Sequence, residues 1–319
     1  VRFYGKLRSH PEYLGRLSGD DTDVSFEDWL DRSVGFAYHE GKSPWRAAYD
    51  AGCLYSFVYR TKATSTPALA GALAPSQDSV SRAFPIVTVT TVSAEGDEAM
   101  ACVPVAGEAF FTRCAAVLGD ARASGVVDHV THALPELPLV EPSAIEGTAA
   151  DFAEWSARPG VLAKAWKSLF PRGRANEAAR VIAALIETVE RLRTSDARRY
   201  VRLPLGGGGA AAAALWLHVL ARAVPARIAV AAWSESRDPT LFVALGHEPP
   251  VDFLLRLWSA DLRSVDTLDA RAPSDGWPEV GLSASLSQVL ASRDASVRDL
   301  LSAIGSAPPT TDVAPTSSR

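Results

Sequence analysis

Two apolar, β-like runs, Ala68–Ala74 and Ile86–Val92, are separated only by Pro75–Pro85. That spacing constrains the fold more than any other feature of the chain. Parallel neighbours need a crossover of a dozen or more residues, usually a helix, so strands joined this closely pair antiparallel. Ile86–Val92 alternates apolar residues with threonine, the pattern of a half-buried strand. The link itself carries turn and capping residues. Pro75 closes the first run, and Ser76 is a residue type whose hydroxyl caps helices. Asp78 would favour the positive end of a helix dipole, and Arg82 follows it by four residues. Pro85 pushes Phe84 into an extended conformation. The link is expected to form a single helical turn with an Asp78–Arg82 pair on one face.

Elsewhere, helical and strand patterns interleave. Arg2–Leu7 and Leu54–Tyr59 read as strands. A helix is predicted from a Ser25 cap to about His39, with Phe26, Trp29, Leu30, Val34 and Ala37 on one stripe. Phe110, Phe111, Cys114, Val117 and Leu118 mark another, and Val181–Leu192 a strongly amphipathic third. Tyr200–Leu205 leads through Gly206–Gly209 into an alanine-rich helix. Arg227–Trp233 and Thr240–Leu245 read as strands, and Val251–Trp258, Ser285–Ala291 and Ser296–Ile304 as helices. Pro135, Pro138 and Pro142 place a surface connection there. Interleaving of this kind predicts an α/β fold, a layered α/β/α sandwich with a mixed, partly antiparallel sheet.

Composition narrows the function. The net charge is −5 over 319 residues, which disfavours nucleic acid as a partner. The three cysteines, Cys53, Cys102 and Cys114, lack metal or redox spacing. The most apolar stretch, Ala210–Val224, contains His218 and Arg222 and falls short of the ~20 residues a membrane span needs. No direct membrane insertion is expected, the Arg2–Leu7 start shows no leader pattern, and the chain reads as cytoplasmic.

Reactive constellations are sparse. Gly206–Gly209 sits where a phosphate-binding loop would, between strand and helix, with Glu235 after the next strand; it lacks the Lys-Ser/Thr of a Walker loop. Nucleotide binding there is the alternative to a flexible turn. His129 and His132 share a helical spacing but lack further ligands. Asp20, Asp21 and Asp23 lack the glycine and distal glutamate of a calcium loop. Ser76 at a strand-to-turn junction is better explained by capping than by nucleophilic catalysis. No catalytic residue, cofactor or metal is assigned.

The segment Gly71, Leu73, Pro75, Ser76, Asp78, Arg82, Phe84, Pro85 resembles the Gly-x-Leu-x-Pro-Ser-x-Asp-x-x-Gly-Arg-x-Phe-Pro motif of the TagF (ImpM) family, accessory proteins of bacterial type VI secretion. Ser81 stands at the motif's glycine. Phe3-Tyr4-Gly5-Lys6-Leu7 matches the family's start, Trp29-Leu30 its Trp-Leu helix, and Leu215-Trp216-Leu217, Trp233-Ser234 and Leu245–Pro250 resemble later pieces. The resemblance implies an α/β/α sandwich spanning residues 1–268, with an N-terminal core (1–133), a Pro-rich connection (134–147) and a C-terminal half (148–268). An extension, 269–319, is expected to be weakly helical and then disordered. The resemblance further implies a non-enzymatic, post-translational regulator of secretion-system assembly. It would act by protein–protein binding, with a forkhead-associated scaffold protein as partner; a structural piece of the apparatus is a further alternative. The residues singled out are Tyr4, Gly5, Lys6, Gly71, Pro75, Ser76, Asp78, Arg82, Phe84 and Pro85. Arg82 either braces the turn or meets a partner's carboxylate or phosphothreonine.

Overall fold

The computed structural model describes residues 1–15, 17, 21–170, 177–194, 199–236, 238–259, 267–270 and 282–305. Asp20 of the acidic cluster and the 306–319 tail lie outside them. The strands are β1 (Arg2–Tyr4), β2 (Tyr55–Tyr59), β3 (Ala68–Ala74), β4 (Ile86–Val92), β5 (Arg199–Pro204), β6 (Ile228–Ser234), β7 (Thr240–Leu245) and β8 (Thr267–Asp269). They form one sheet in the order β1-β4-β3-β2-β6-β7-β5-β8. Every pairing is antiparallel except β5 with β8. The short link indeed produces a hairpin-like pair: β3 and β4 match residue for residue from Ala68↔Val92 to Ala74↔Ile86.

Side-chain alternation assigns the two faces. On β3, Leu69 and Leu73 join Phe57, Tyr59, Val87 and Val89 in one core, whereas Ala68, Ala70, Ala72 and Ala74 join the other. The first core packs under α1 (Asp21–Asp50) and α9 (Phe253–Trp258). It is aromatic, with Phe26 stacked on Phe57 at 5.4 Å and edge-on to Tyr59 at 4.9 Å. Gly71 makes room there: a Cβ would lie 2.0 Å from the Thr88 carbonyl oxygen and 3.0 Å from the Phe57 ring.

The opposite face carries α2 (Gly96–Ala106), α3 (Glu108–Ser124), α5 (Pro142–Ser156), α6 (Val161–Leu169), α7 (Glu177–Thr194), α8 (Gly209–Ala223), α10 (Ala284–Ala291) and α11 (Val297–Gly305), with α4 (Asp128–Ala133) and a 3-10 turn, Leu134–Glu136, at its margin. The layers are therefore helix, sheet, helix. Within the predicted extension, Ser283 caps α10 by accepting from the Leu286 backbone N–H, and Leu286, Val297 and Leu300 are fully buried. No single helix among the described residues is long and apolar enough to cross a membrane. The bent pair α2 and α3 passes that test jointly, but its apolar residues pack in the core.

Three expectations need correction. Pro75–Pro85 forms no helix: it is a loop closed by an isolated bridge between Gln77 and Ala83. Ser76 does not cap; its hydroxyl donates to the Lys6 carbonyl oxygen at 2.6 Å. The helix predicted from Ser25 begins at Asp21, because Asp21 and Asp23 already supply first-turn acids favoured by the dipole. It continues past His39 through a break at Lys42, where φ is +49°, two residues before Pro44.

The halves of the chain are tied together. β2 pairs with β6 from Ser56↔Trp233 to Tyr59↔Val230. Arg60, fully buried, donates to the Asp97 carboxylate at 2.8 Å and to the Gly96 carbonyl. The other Asp97 oxygen accepts from the Ala226 backbone N–H at 2.6 Å.

Candidate functional site

The start of the chain and the β3–β4 loop meet at Asp78. β1 lies beside β4, so the residues just after β1 pass under the loop. Gly5 turns there with φ +135°; a Cβ would stand 2.2 Å from the Pro85 carbonyl oxygen, so only glycine permits this approach. Lys6 then points its ammonium at Asp78, Nζ to Oδ2 at 3.0 Å, with both side chains buried.

Asp78 organises the loop. Its Oδ1 accepts from the backbone N–H groups of Val80 and Arg82, at 3.1 and 2.8 Å. Its Oδ2 accepts from Lys6 and from Arg82 Nε, the latter at 2.5 Å. This is an Asx-type turn, in which the carboxylate replaces the backbone partners a helix would have supplied. Burial alone would raise the Asp78 pKa. The Arg82 backbone N–H and the Lys6 and Arg82 side chains outweigh it, holding the carboxyl well below its usual range.

The turn needs one residue at positive φ, and Ser81 takes it at +67°. Ser76 is held on both sides: its backbone N–H donates to the Tyr49 hydroxyl at 2.8 Å, and that hydroxyl donates to the Ser76 carbonyl at 2.9 Å. Its own hydroxyl is engaged by a carbonyl oxygen, and no base among the described residues bonds to it. Phe84 is buried and meets Tyr4 and Tyr13 edge-on at 5.6 and 4.8 Å. Tyr4 and Tyr13 stack at 5.4 Å, and Lys6 Nζ lies 4.5 Å from the Tyr13 ring centre.

Eight of the ten residues singled out from the sequence thus converge: Tyr4, Gly5, Lys6, Ser76, Asp78, Arg82, Phe84 and Pro85. Pro75 ends β3 beside them, while Gly71 sits further along the strand in a packing role. Tyr13, Tyr38 and Arg46 were not foreseen. Arg46 donates to the Ser81 carbonyl at 2.9 Å and to Gln77, and the Tyr38 hydroxyl accepts from the Ala83 backbone N–H. Their outer surface is open: Tyr13 is 44% exposed, Tyr38 40% and Val80 63%. The Arg82 side chain is 56% exposed, although it also donates to the Pro11 carbonyl.

The other candidate places are occupied by the protein itself. At Gly206–Gly209, Gly206 adopts φ +53° against the Ser168 carbonyl. Gly209 faces Glu235, whose Oε1 would lie 3.0 Å from a Cβ there. A carboxylate against the start of α8 opposes a phosphate at the same place. His129 contacts Ser124 Oγ at 3.2 Å, and no group of three or more His, Cys, Asp or Glu side chains able to hold a metal occurs among the described residues.

Residues 2–137, the span that holds both converging segments, match the family described as the TagF N-terminal domain, type VI secretion system-associated. These residues belong to the TagF family. The chain is therefore type VI secretion-associated. PA0076 from Pseudomonas aeruginosa PAO1, known from a crystal structure, is similar over 87% of this chain and 99% of its own, at 16% identity and a TM-score of 0.47. No curated protein matches the chain. The polar residues of the two motif segments, Lys6, Ser76, Asp78 and Arg82, form one node on this geometry: Lys6 from the first segment neutralises the Asp78 that shapes the second.

Proposed function

We propose that this TagF-family chain is a non-enzymatic, cytoplasmic regulator of type VI secretion-system assembly. It acts post-translationally, by protein–protein binding, and restrains assembly through the forkhead-associated scaffold protein. The observation that carries this reading is the division of labour at the Asp78 node. Its inner side chains, the buried Lys6 and Asp78 and the half-buried Ser76, are engaged in holding the loop. Its outer surface offers Tyr13, Tyr38, Val80 and the free edge of Arg82. Tyr and Arg are the residue types enriched among interface hot spots. A loop fixed by a rigid scaffold is also a common carrier of recognition.

Affinity capture from cells that express the secretion machinery tests this. Val80→Asp and Val80→Lys change only the outer surface. Each is expected to lower recovery of the scaffold protein by about tenfold, the effect of a single hot spot of ~1.4 kcal/mol, with unchanged urea unfolding. Full recovery with both variants would refute the docking surface. Capture of no secretion component by the parent chain would refute the regulatory reading as a whole.

A further inference from the structure

A cleft on the helical face remote from the Asp78 node has no role in that reading. It lies between α2, α5, α6 and α8 and has a volume of about 360 Å³. Cys102, Phe152, Trp155, Ala212, Leu215 and His218 line it. Small side chains on α8 create the hollow, since alanine leaves space where the neighbouring helices would otherwise be filled by larger residues. Its walls are apolar, and the volume falls within the range of small-molecule sites.

Besides the hydroxyls of Thr148 and Ser168, two groups give the cleft a chemistry. His218 is 92% buried (8% exposed) and stacks on Phe152 with ring centres 3.7 Å apart. Its Nε2 lies 3.6 Å from Cys102 Sγ, and Nδ1 has no partner among the described residues. Burial lowers the His218 pKa to about 4, so the imidazole is neutral near pH 7. Burial likewise pushes the Cys102 thiol up to about 11, which makes it a poor nucleophile. A neutral imidazole whose Nε2 accepts from the thiol carries its hydrogen on Nδ1. The second group is Asp151, an exposed carboxylate at the rim.

We propose that this cleft binds an uncharged, largely apolar small molecule with one hydrogen-bonding oxygen, of the medium-chain alcohol class. A dry cavity of ~150 Å³ holds benzene, so this one suits on the order of fifteen non-hydrogen atoms. The oxygen meets His218, the chain lies between Phe152 and α8, and Asp151 repels anions from the entrance.

Fluorescence titration of the full chain with 1-N-phenylnaphthylamine, an uncharged apolar dye, tests the proposal, followed by displacement with decanol or decanoate. Saturable one-site binding is expected, with displacement by decanol and at least about tenfold weaker displacement by decanoate. Ala211→Trp, at an exposed position of α8 that lines the cleft, and Thr148→Trp, on the α5 wall, are each expected to weaken dye binding about tenfold while unfolding as the parent does. Val80→Asp should bind dye as the parent does, which separates this site from the docking surface. A non-saturating signal, parental affinity in both tryptophan variants, or equal displacement by decanoate would overturn the assignment.

Discussion

Ser81→Gly should make the protein more stable, although glycine usually does the reverse. Ser81 sits at φ +67° in the turn that Asp78 organises. Its polar contacts are made by backbone atoms: its N–H donates to the Asp78 carbonyl at 3.0 Å, and its carbonyl accepts from Arg46 at 2.9 Å. Its hydroxyl has no partner among the described residues, so glycine deletes no contact of consequence. A non-glycine residue in the left-handed region costs roughly 1–2 kcal/mol, and glycine's extra unfolded-chain entropy costs roughly 0.5–1, which leaves a net gain of about 0.5–1 kcal/mol. Urea unfolding at equilibrium measures it as a higher midpoint with an unchanged slope. Ser81→Ala should match the parent closely, and Ser81→Val should fall below it because a branched Cβ crowds this conformation further. If glycine lowered the midpoint while valine left it unchanged, the left-handed strain would not exist as described.

Asp78→Ala leaves Lys6 buried without its counter-ion and removes acceptors from two backbone N–H groups. A loss of about 3–5 kcal/mol is expected by urea unfolding. The parent's acid sensitivity has the same origin. A carboxyl whose folded pKa is depressed contributes stability above its unfolded value near 3.9 and loses it as pH falls below that. Asp78→Asn should therefore flatten the stability profile below about pH 4. His218 acts in a higher window. Its folded pKa of about 4 lies below the unfolded value of 6.5, so the unfolded chain takes up the proton first and stability falls between those two pH values, by roughly 3 kcal/mol at the lower end. His218→Phe should remove that slope, and an unchanged slope in the variant would assign it elsewhere.

The strands were the most legible part of the chain. Ala68–Ala74 and Ile86–Val92 are found at the bounds read from their patterns, since a strand with both faces covered shows its period and its breakers plainly. The loop between them was misread for a physical reason. Ser, Asp and a following Arg are equally suited to a helix start and to an Asx turn, because both depend on a short side chain bonding nearby backbone N–H groups. What decided between them was Lys6, 72 residues away in sequence. The same holds for Tyr13 and Arg46, whose roles come from β1 and α1 folding against the loop. Helix α2 was hidden by Pro104 within it, and β8 by being a three-residue strand defined only by its pairing with β5.

The seam between β2 and β6 bears on how the molecule is inherited and handled. The segment shared with the TagF N-terminal domain ends at 137, yet its strand β2 is an interior strand whose second neighbour comes from beyond that point. Cut at that boundary, the piece would present a row of bare amide and carbonyl groups along β2, an adhesive edge for other chains. It would also strand Arg60 and Asp97 without the Ala226 backbone N–H that completes their bonding. The recurring unit of sequence and the unit that folds are thus different lengths of chain, and soluble preparations of the first should depend on carrying the second.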